Sequence, residues 1–153
     1  MSVEKIDRKI SVIFATDVVD YSLHMEKDES GTVTSLRTYE KILKESFRKH
    51  GGRLFNPGGD SFLAEFSSAV KAVECAIDFQ NIVKEKKIKP SLSFRIGINA
   101  GDVILQKKNL LGDGVNVAAR LEQLSQPNGI TISKSIYDYI EGKLDLKIQD
   151  LGI

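Results

Sequence analysis

The chain has 153 residues, room for one domain with a core of its own, and its 41% hydrophobic and 28% charged content is that of a soluble globular protein. Lys plus Arg number 22 against 21 Asp plus Glu, a formal net charge of +1, which gives no argument for nonspecific nucleic-acid binding. No apolar run approaches the ~20 residues of a membrane span, MSVEKIDRK lacks the apolar stretch of a signal peptide, and the lone Cys75 has no internal disulfide partner, so the expected compartment is the reducing cytoplasm.

Ile10 to Ala15 (ISVIFA) is mostly β-branched or apolar and predicts a buried central strand. A short polar stretch follows, and then Leu36, Tyr39, Leu43 and Phe47 recur at helical spacing up to Gly51-Gly52, a usual helix stop. Arg53–Asn56 and Ser61–Phe66 read as two strands around a Pro-Gly-Gly-Asp turn. From Ser68 the apolar positions Ala69, Ala72, Val73, Ala76, Phe79 and Val83 step mostly by three or four, which predicts a second helix. Ser93–Ile98 begins another strand, expected to turn near Gly101 into VIL. Gly112–Leu124 reads as a third helix, anchored by Val117, Leu121 and Leu124, and GITI, a short helix around Ser133–Ile140 and LKI close the chain. Cys75 falls among apolar residues and is expected to be a core thiol. The β-α-β-β-α-β order predicts an α+β fold of ferredoxin-like type, a mainly antiparallel sheet with helices packed on one face.

Fold alone does not give function. Asp17 follows the first strand and Asp60 sits in the hairpin turn, so neighbouring strands would bring the two carboxylates to one sheet edge. Two such carboxylates repel unless a cation lies between them, and an all-oxygen site suits Mg²⁺ or Mn²⁺. Against this stands the common occurrence of Asp at strand ends as a plain turn residue. In the helix GDGVNVAARLE, Asn116 and Arg120 are four apart and share one face, about 40° from each other. Asn can orient a ribose and Arg can neutralise charge on a phosphoryl group in transit, although the same pair also fits a plain solvated face.

Taken together, the segments are specific. VIFATDVVDYS resembles the first metal-binding segment of class III adenylate and guanylate cyclases, GGDSFLAEF the second, RIGINAGDV the strand after it, and LLGDGVNVAARLEQLSQPNGITIS the transition-state segment. Order and spacing agree from about Lys9 to Gly152. The resemblance implies the class III nucleotidyl cyclase fold, with Asp17 and Asp60 as ligands of two divalent ions and the Val18 carbonyl as a backbone ligand. It also implies a triphosphate cradle from the amides of Val19, Asp20, Tyr21 and Ser22, a ribose-orienting Asn116 and a transition-state Arg120. The metal aspartates and the Asn–Arg pair would come from opposite subunits of a homodimer, giving two equivalent composite sites. The reaction would be attack of a ribose 3′-OH on the α-phosphate of a nucleoside triphosphate, ATP by family precedent, with pyrophosphate leaving. Neither His24 nor His50 lies in a matching motif, so no histidine base is assigned.

Four departures from the family pattern stand out. Where adenylate cyclases carry Lys and Asp or Thr to read the purine, this chain has Asn56 and Asn109, which match the guanylate pattern no better. Many relatives have Gly in place of Asp20, and the chain stops at Asp150–Ile153 before the position of a family Lys that contacts the triphosphate. A single domain over 1–153, shortened at its C-terminus, is therefore expected. The alternative is a degenerate cyclase-homology module that binds a nucleotide or a partner and regulates something else. GGDSF also invites comparison with the GGDEF diguanylate cyclases, but Ser61 replaces the acidic residue and VNVAARLE has no counterpart there.

Overall fold

A computed structural model describes residues 6–152. The elements run β1 (Asp7–Val18), α1 (Tyr21–Lys27), α2 (Glu29–His50), β2 (Gly52–Gly58), β3 (Ser61–Phe66), α3 (Ala69–Glu85), β4 (Phe94–Gln106), β5 (Asn109–Leu111), α4 (Asp113–Leu124), β6 (Ile130–Ile132) and α5 (Lys134–Ile140). One sheet has the order β2-β3-β1-β4-β5, and β6 joins β4 as its one parallel neighbour. The fold is α+β and mainly antiparallel, as its sequence order implies.

Local chemistry explains the helix ends. Asp28 caps α2 by accepting from the Gly31 amide at 3.0 Å, and Gly51 closes that helix at φ 78°, a left-handed value natural to glycine. Ser68 caps α3 by accepting from the Lys71 amide at 3.2 Å. On β1 successive side chains point to opposite faces, and both faces are largely buried from Ser11 onward, whereas Asp7–Ile10 are exposed and Ile10, expected in the buried run, is 75% accessible. Val12, Phe14 and Val18 meet α2, α3 and α5 in the larger core, where Phe14 lies edge-on to Phe47 at 5.2 Å and beside Phe66 at 5.8 Å. Ile13 and Ala15 meet Val103, Leu110, Val115 and Ala118 in a smaller core under α4.

The helices therefore cover both faces of the sheet, not one. On α4 the buried positions are Gly114, Val115, Ala118 and Glu122, whereas Leu124 is 67% exposed, so the anchoring stripe is not Val117, Leu121 and Leu124. Three smaller expectations also change. The polar stretch after β1 forms α1, β4 runs unbroken through Gly101, and Leu146–Ile148 form no regular element. Gly101 lies within β4 and makes no turn.

Candidate active site

Register places the site. Asp17 lies opposite Ser61 on β3 and opposite Arg95 on β4, at the end of β1 on the face that α4 covers. Asp60 immediately precedes β3, and its carbonyl accepts from the Val18 amide at 3.2 Å, so the strand pairing brings the two aspartates to the same edge. Partial burial, opposed by a hydrogen bond from its own backbone, and then the charge of Asp17 raise the Asp60 carboxyl above the usual range. Among the described residues no three His, Cys, Asp or Glu side chains converge on a point. Two crowded carboxylates beside backbone oxygen still fit a hard divalent ion, which would draw its remaining ligands from the Val18 carbonyl, substrate and water.

Three functional neighbours were not foreseen. The Arg95 guanidinium spans both oxygens of Asp17, Nε to Oδ1 at 3.2 Å and Nη2 to Oδ2 at 3.0 Å. Gln123 accepts from the same Nη2 at 3.3 Å and donates to Asp17 Oδ2 at 3.2 Å. Glu122, only 4% exposed, puts its carboxylate 3.9 Å from Arg95. Burial, then the charge and contact of Asp17, push the Glu122 carboxyl well above the ordinary carboxylate range, and the Asp17 contact raises Arg95 further still. All three depend on how closely α4 approaches β4. Gly97 makes that approach possible, because a Cβ there would stand 2.5 Å from the Ala118 carbonyl oxygen, as well as against the Glu122 amide. The sequence signal was an arginine inside an otherwise apolar strand, two residues from Gly97, the pairing partner of Ala15.

The remaining candidates divide into separate groups. Val19 spends its amide on the Ser93 carbonyl at 2.8 Å, whereas Tyr21 and Ser22 open α1, where amides have no partner within the helix. Asp20 is exposed, its side chain makes no capping hydrogen bond, and it adopts φ 55°, a left-handed conformation that explains why glycine suits this position. Asn116 and Arg120 are exposed on α4, and Arg120 comes within 3.8 Å of Asp113 on its own helix. Among the described residues no hydrogen bond or ion pair joins either of them to Asp17 or Asp60. Asn56 lies exposed on β2 beside a bulge between Leu54 and Asn56, and Asn109 Oδ1 accepts from the Leu110 amide at 2.9 Å. A cavity of about 530 Å³ between β2 and the β4–β5 hairpin is lined by Arg53, Phe55, Lys108 and Asn109. A second, of about 570 Å³ at the far end of β1, is lined by Lys9, Glu65 and Tyr139. Neither contains Asp17, Asp60, Asn116 or Arg120.

Among known proteins, residues 2–152 match the family described as the adenylate and guanylate cyclase catalytic domain. A Rhizobium meliloti protein provisionally named adenylate cyclase 3 is 40% identical over 99% of this chain, and the chain spans 27% of that protein's length. An adenylate/guanylate cyclase/hydrolase from Silicibacter pomeroyi superposes with a TM-score of 0.87 at 31% identity, covering 97% of this chain and 89% of its own. The guanylate cyclase domain of RhGC from Catenaria anguillulae, solved with GTP, superposes at 0.80 with 26% identity, covering 90% of this chain and 85% of its own. No described helix is long and apolar enough to cross a membrane. Fold, register and family match agree, and the chain belongs to the class III adenylate/guanylate cyclase catalytic domains.

Proposed function

We propose that this domain converts a nucleoside triphosphate, ATP by family precedent, into its 3′,5′-cyclic monophosphate and pyrophosphate at composite sites of a homodimer. The observation that carries the reading is that Asp17 and Asp60 stand at one sheet edge while, among the described residues, Asn116 and Arg120 of the same chain are exposed and make no hydrogen bond or ion pair to them. One protomer thus supplies half of a site and the complementary half of another. Two divalent ions, Mg²⁺ or Mn²⁺, held by Asp17, Asp60 and the Val18 carbonyl, would activate the attacking hydroxyl and neutralise the leaving pyrophosphate.

The chain's own residues do the positioning. Amides at the start of α1, from Tyr21 and Ser22, face the triphosphate with the positive end of the helix dipole. Asn116 of one protomer orients the ribose, and Arg120 meets the charge building on the α-phosphate. Asn56 and Asn109 flank the base, offering donors and acceptors without the charge that the family's Lys would bring. The exposed Leu124 and Leu111, 67% and 41% accessible, and the half-buried Leu121 supply apolar surface for the second protomer.

The test is incubation of the purified protein with each of ATP, GTP, CTP and UTP plus Mn²⁺, read by mass spectrometry. Cyclic AMP is expected. A folded dimer that cyclises none of the four favours the regulatory reading instead. Mixing Asp60→Ala with Arg120→Ala, each inactive alone, is expected to restore part of the activity, because one of the two sites in the mixed dimer is then whole. A mixed dimer that forms and stays dead refutes the composite site.

A further inference from the structure

Asp17 already holds a cation. Arg95 occupies both of its carboxylate oxygens, at 3.2 and 3.0 Å, and Gln123 adds a third hydrogen bond at 3.2 Å. Asp60 has no comparable partner: among the described residues no ion pair or side-chain hydrogen bond reaches its carboxylate from another residue. The two aspartates are therefore unequal, one latched and one open.

We infer that Arg95 is the resident counter-ion of Asp17, which a divalent ion must displace, so that metal loading at this edge is a competition between the ion and the guanidinium. The inference rests on reading Asp17 and Asp60 as metal ligands. Three features support it. A bidentate guanidinium holds a full positive charge against both Asp17 oxygens, so a divalent cation reaching that carboxylate meets a like charge already seated there. The arginine has a second acidic neighbour within reach, since the Glu122 carboxyl oxygen lies 3.9 Å from its Nη2. The arrangement is also built rather than incidental. Asp17 and Arg95 are direct cross-strand partners, and Gly97 lets α4 bring Glu122 and Gln123 against them. In the metal-free protein Arg95 balances the charge of Asp17. The cost is a weaker apparent affinity for the ion.

The consequence is an order of events. Asp60 is the first protein carboxylate to meet an incoming ion, and Asp17 joins as Arg95 lets go. Arg95 is in this sense a positioning residue, acting on the metal through Asp17.

The experiment is a Mn²⁺ titration of the nucleotide-free protein, following the EPR signal of free Mn²⁺, for wild type, Arg95→Gln, Arg95→Lys and the double variant Asp17→Asn/Arg95→Gln. Removing the competitor is expected to tighten Mn²⁺ binding about tenfold in Arg95→Gln, the order set by losing a hydrogen bond between charged groups. Arg95→Lys, which keeps the charge but not the two-point grip, is expected to tighten it a few-fold, and it decides the matter if circular dichroism shows Arg95→Gln unfolded. The double variant is expected to lose the gain. Unchanged or weaker binding in the folded Arg95 variants overturns the competition, and so does tight binding retained without Asp17. Absence of Mn²⁺ binding from wild type and single variants alike removes the metal reading of Asp17 and Asp60, and the inference falls with it.

Discussion

Replacing Gly97 with alanine tests the seat of α4. An added Cβ would stand 2.5 Å from the Ala118 carbonyl oxygen and 2.8 Å from the Glu122 Cα, with the Glu122 amide also in its path. These are backbone atoms, which no rotamer change can move. The helix must lift or the strand must bend. Overpacking a core costs about 1–3 kcal/mol, and rigid backbone neighbours put this case near ~3. The loss of chain entropy in the unfolded state returns about 0.4–1 kcal/mol, leaving a net destabilisation of about 2 kcal/mol. At about 2.1 cal/mol/K per residue, 153 residues give an unfolding entropy of about 0.3 kcal/mol/K, so the melting temperature should fall by about 6 °C. Gly101→Ala is the comparison, because its nearest backbone contact, the Gly114 Cα, stands at 3.4 Å and its one closer neighbour is a side-chain atom, Asn99 Nδ2 at 3.1 Å. Thermal melts by circular dichroism read both. A Gly97→Ala protein that melts within about 2 °C of wild type refutes the claim that this glycine seats α4.

Asp60→Asn should abolish cyclisation while holding or raising the melting temperature. Burial and Asp17 raise the folded-state pKa of Asp60, so its stabilising contribution is complete only below the unfolded value of about 3.8 and is lost as pH rises through the folded one; a variant that is both inactive and markedly less stable at pH 7 argues against this. Cys75, buried with its thiol pushed up to about 12, should resist thiol reagents at pH 8 in the native protein and react at once in urea. Its linkage runs the same way: stability tied to the thiol is complete below the ordinary value of 9.0 and is lost between there and about 12, so alkaline unfolding should be blunted in Cys75→Ala. Phe14→Ala removes a ring packed on Phe47 and Phe66 and should cost about 3–5 kcal/mol by urea unfolding; a cost under ~2 kcal/mol would mean that the larger core is not centred there.

Much of the fold was legible because its strongest signals are local. Leu36, Tyr39, Leu43 and Phe47 announce α2 by spacing alone, and all four are buried. What stayed hidden depends on contacts distant in sequence. The helix α1 has no buried residue and no apolar stripe to read, and it starts from a left-handed Asp20. Residue size misled at α4: the larger Val117, Leu121 and Leu124 looked like an anchor, while Gly114, Val115 and Ala118 fit the narrow space above the sheet. The same closeness hid the Arg95, Glu122 and Gln123 cluster, whose members mean little until β1, β4 and α4 meet. The closeness of Asp17 and Asp60 was readable once β1 and β3 were taken as antiparallel neighbours, because that pairing sets the end of one beside the start of the other.

The double-faced burial of β1 has a consequence for how the chain is made. This strand is made before its partners: counted from Asp17, its partner Ser61 on β3 comes more than forty residues later and its partner Arg95 on β4 nearly eighty residues later. The contacts it needs are almost all non-local, which makes them slow to form. During synthesis ISVIFA is an apolar strand with two open edges and two uncovered faces, while α2 can already coil behind it. Until Gln106 has emerged the nascent chain displays the segment most prone to pair with another copy of itself. The most protected strand of the finished domain is thus its most vulnerable one at birth, and the yield of folded protein in cells should depend on chaperone supply at that stage.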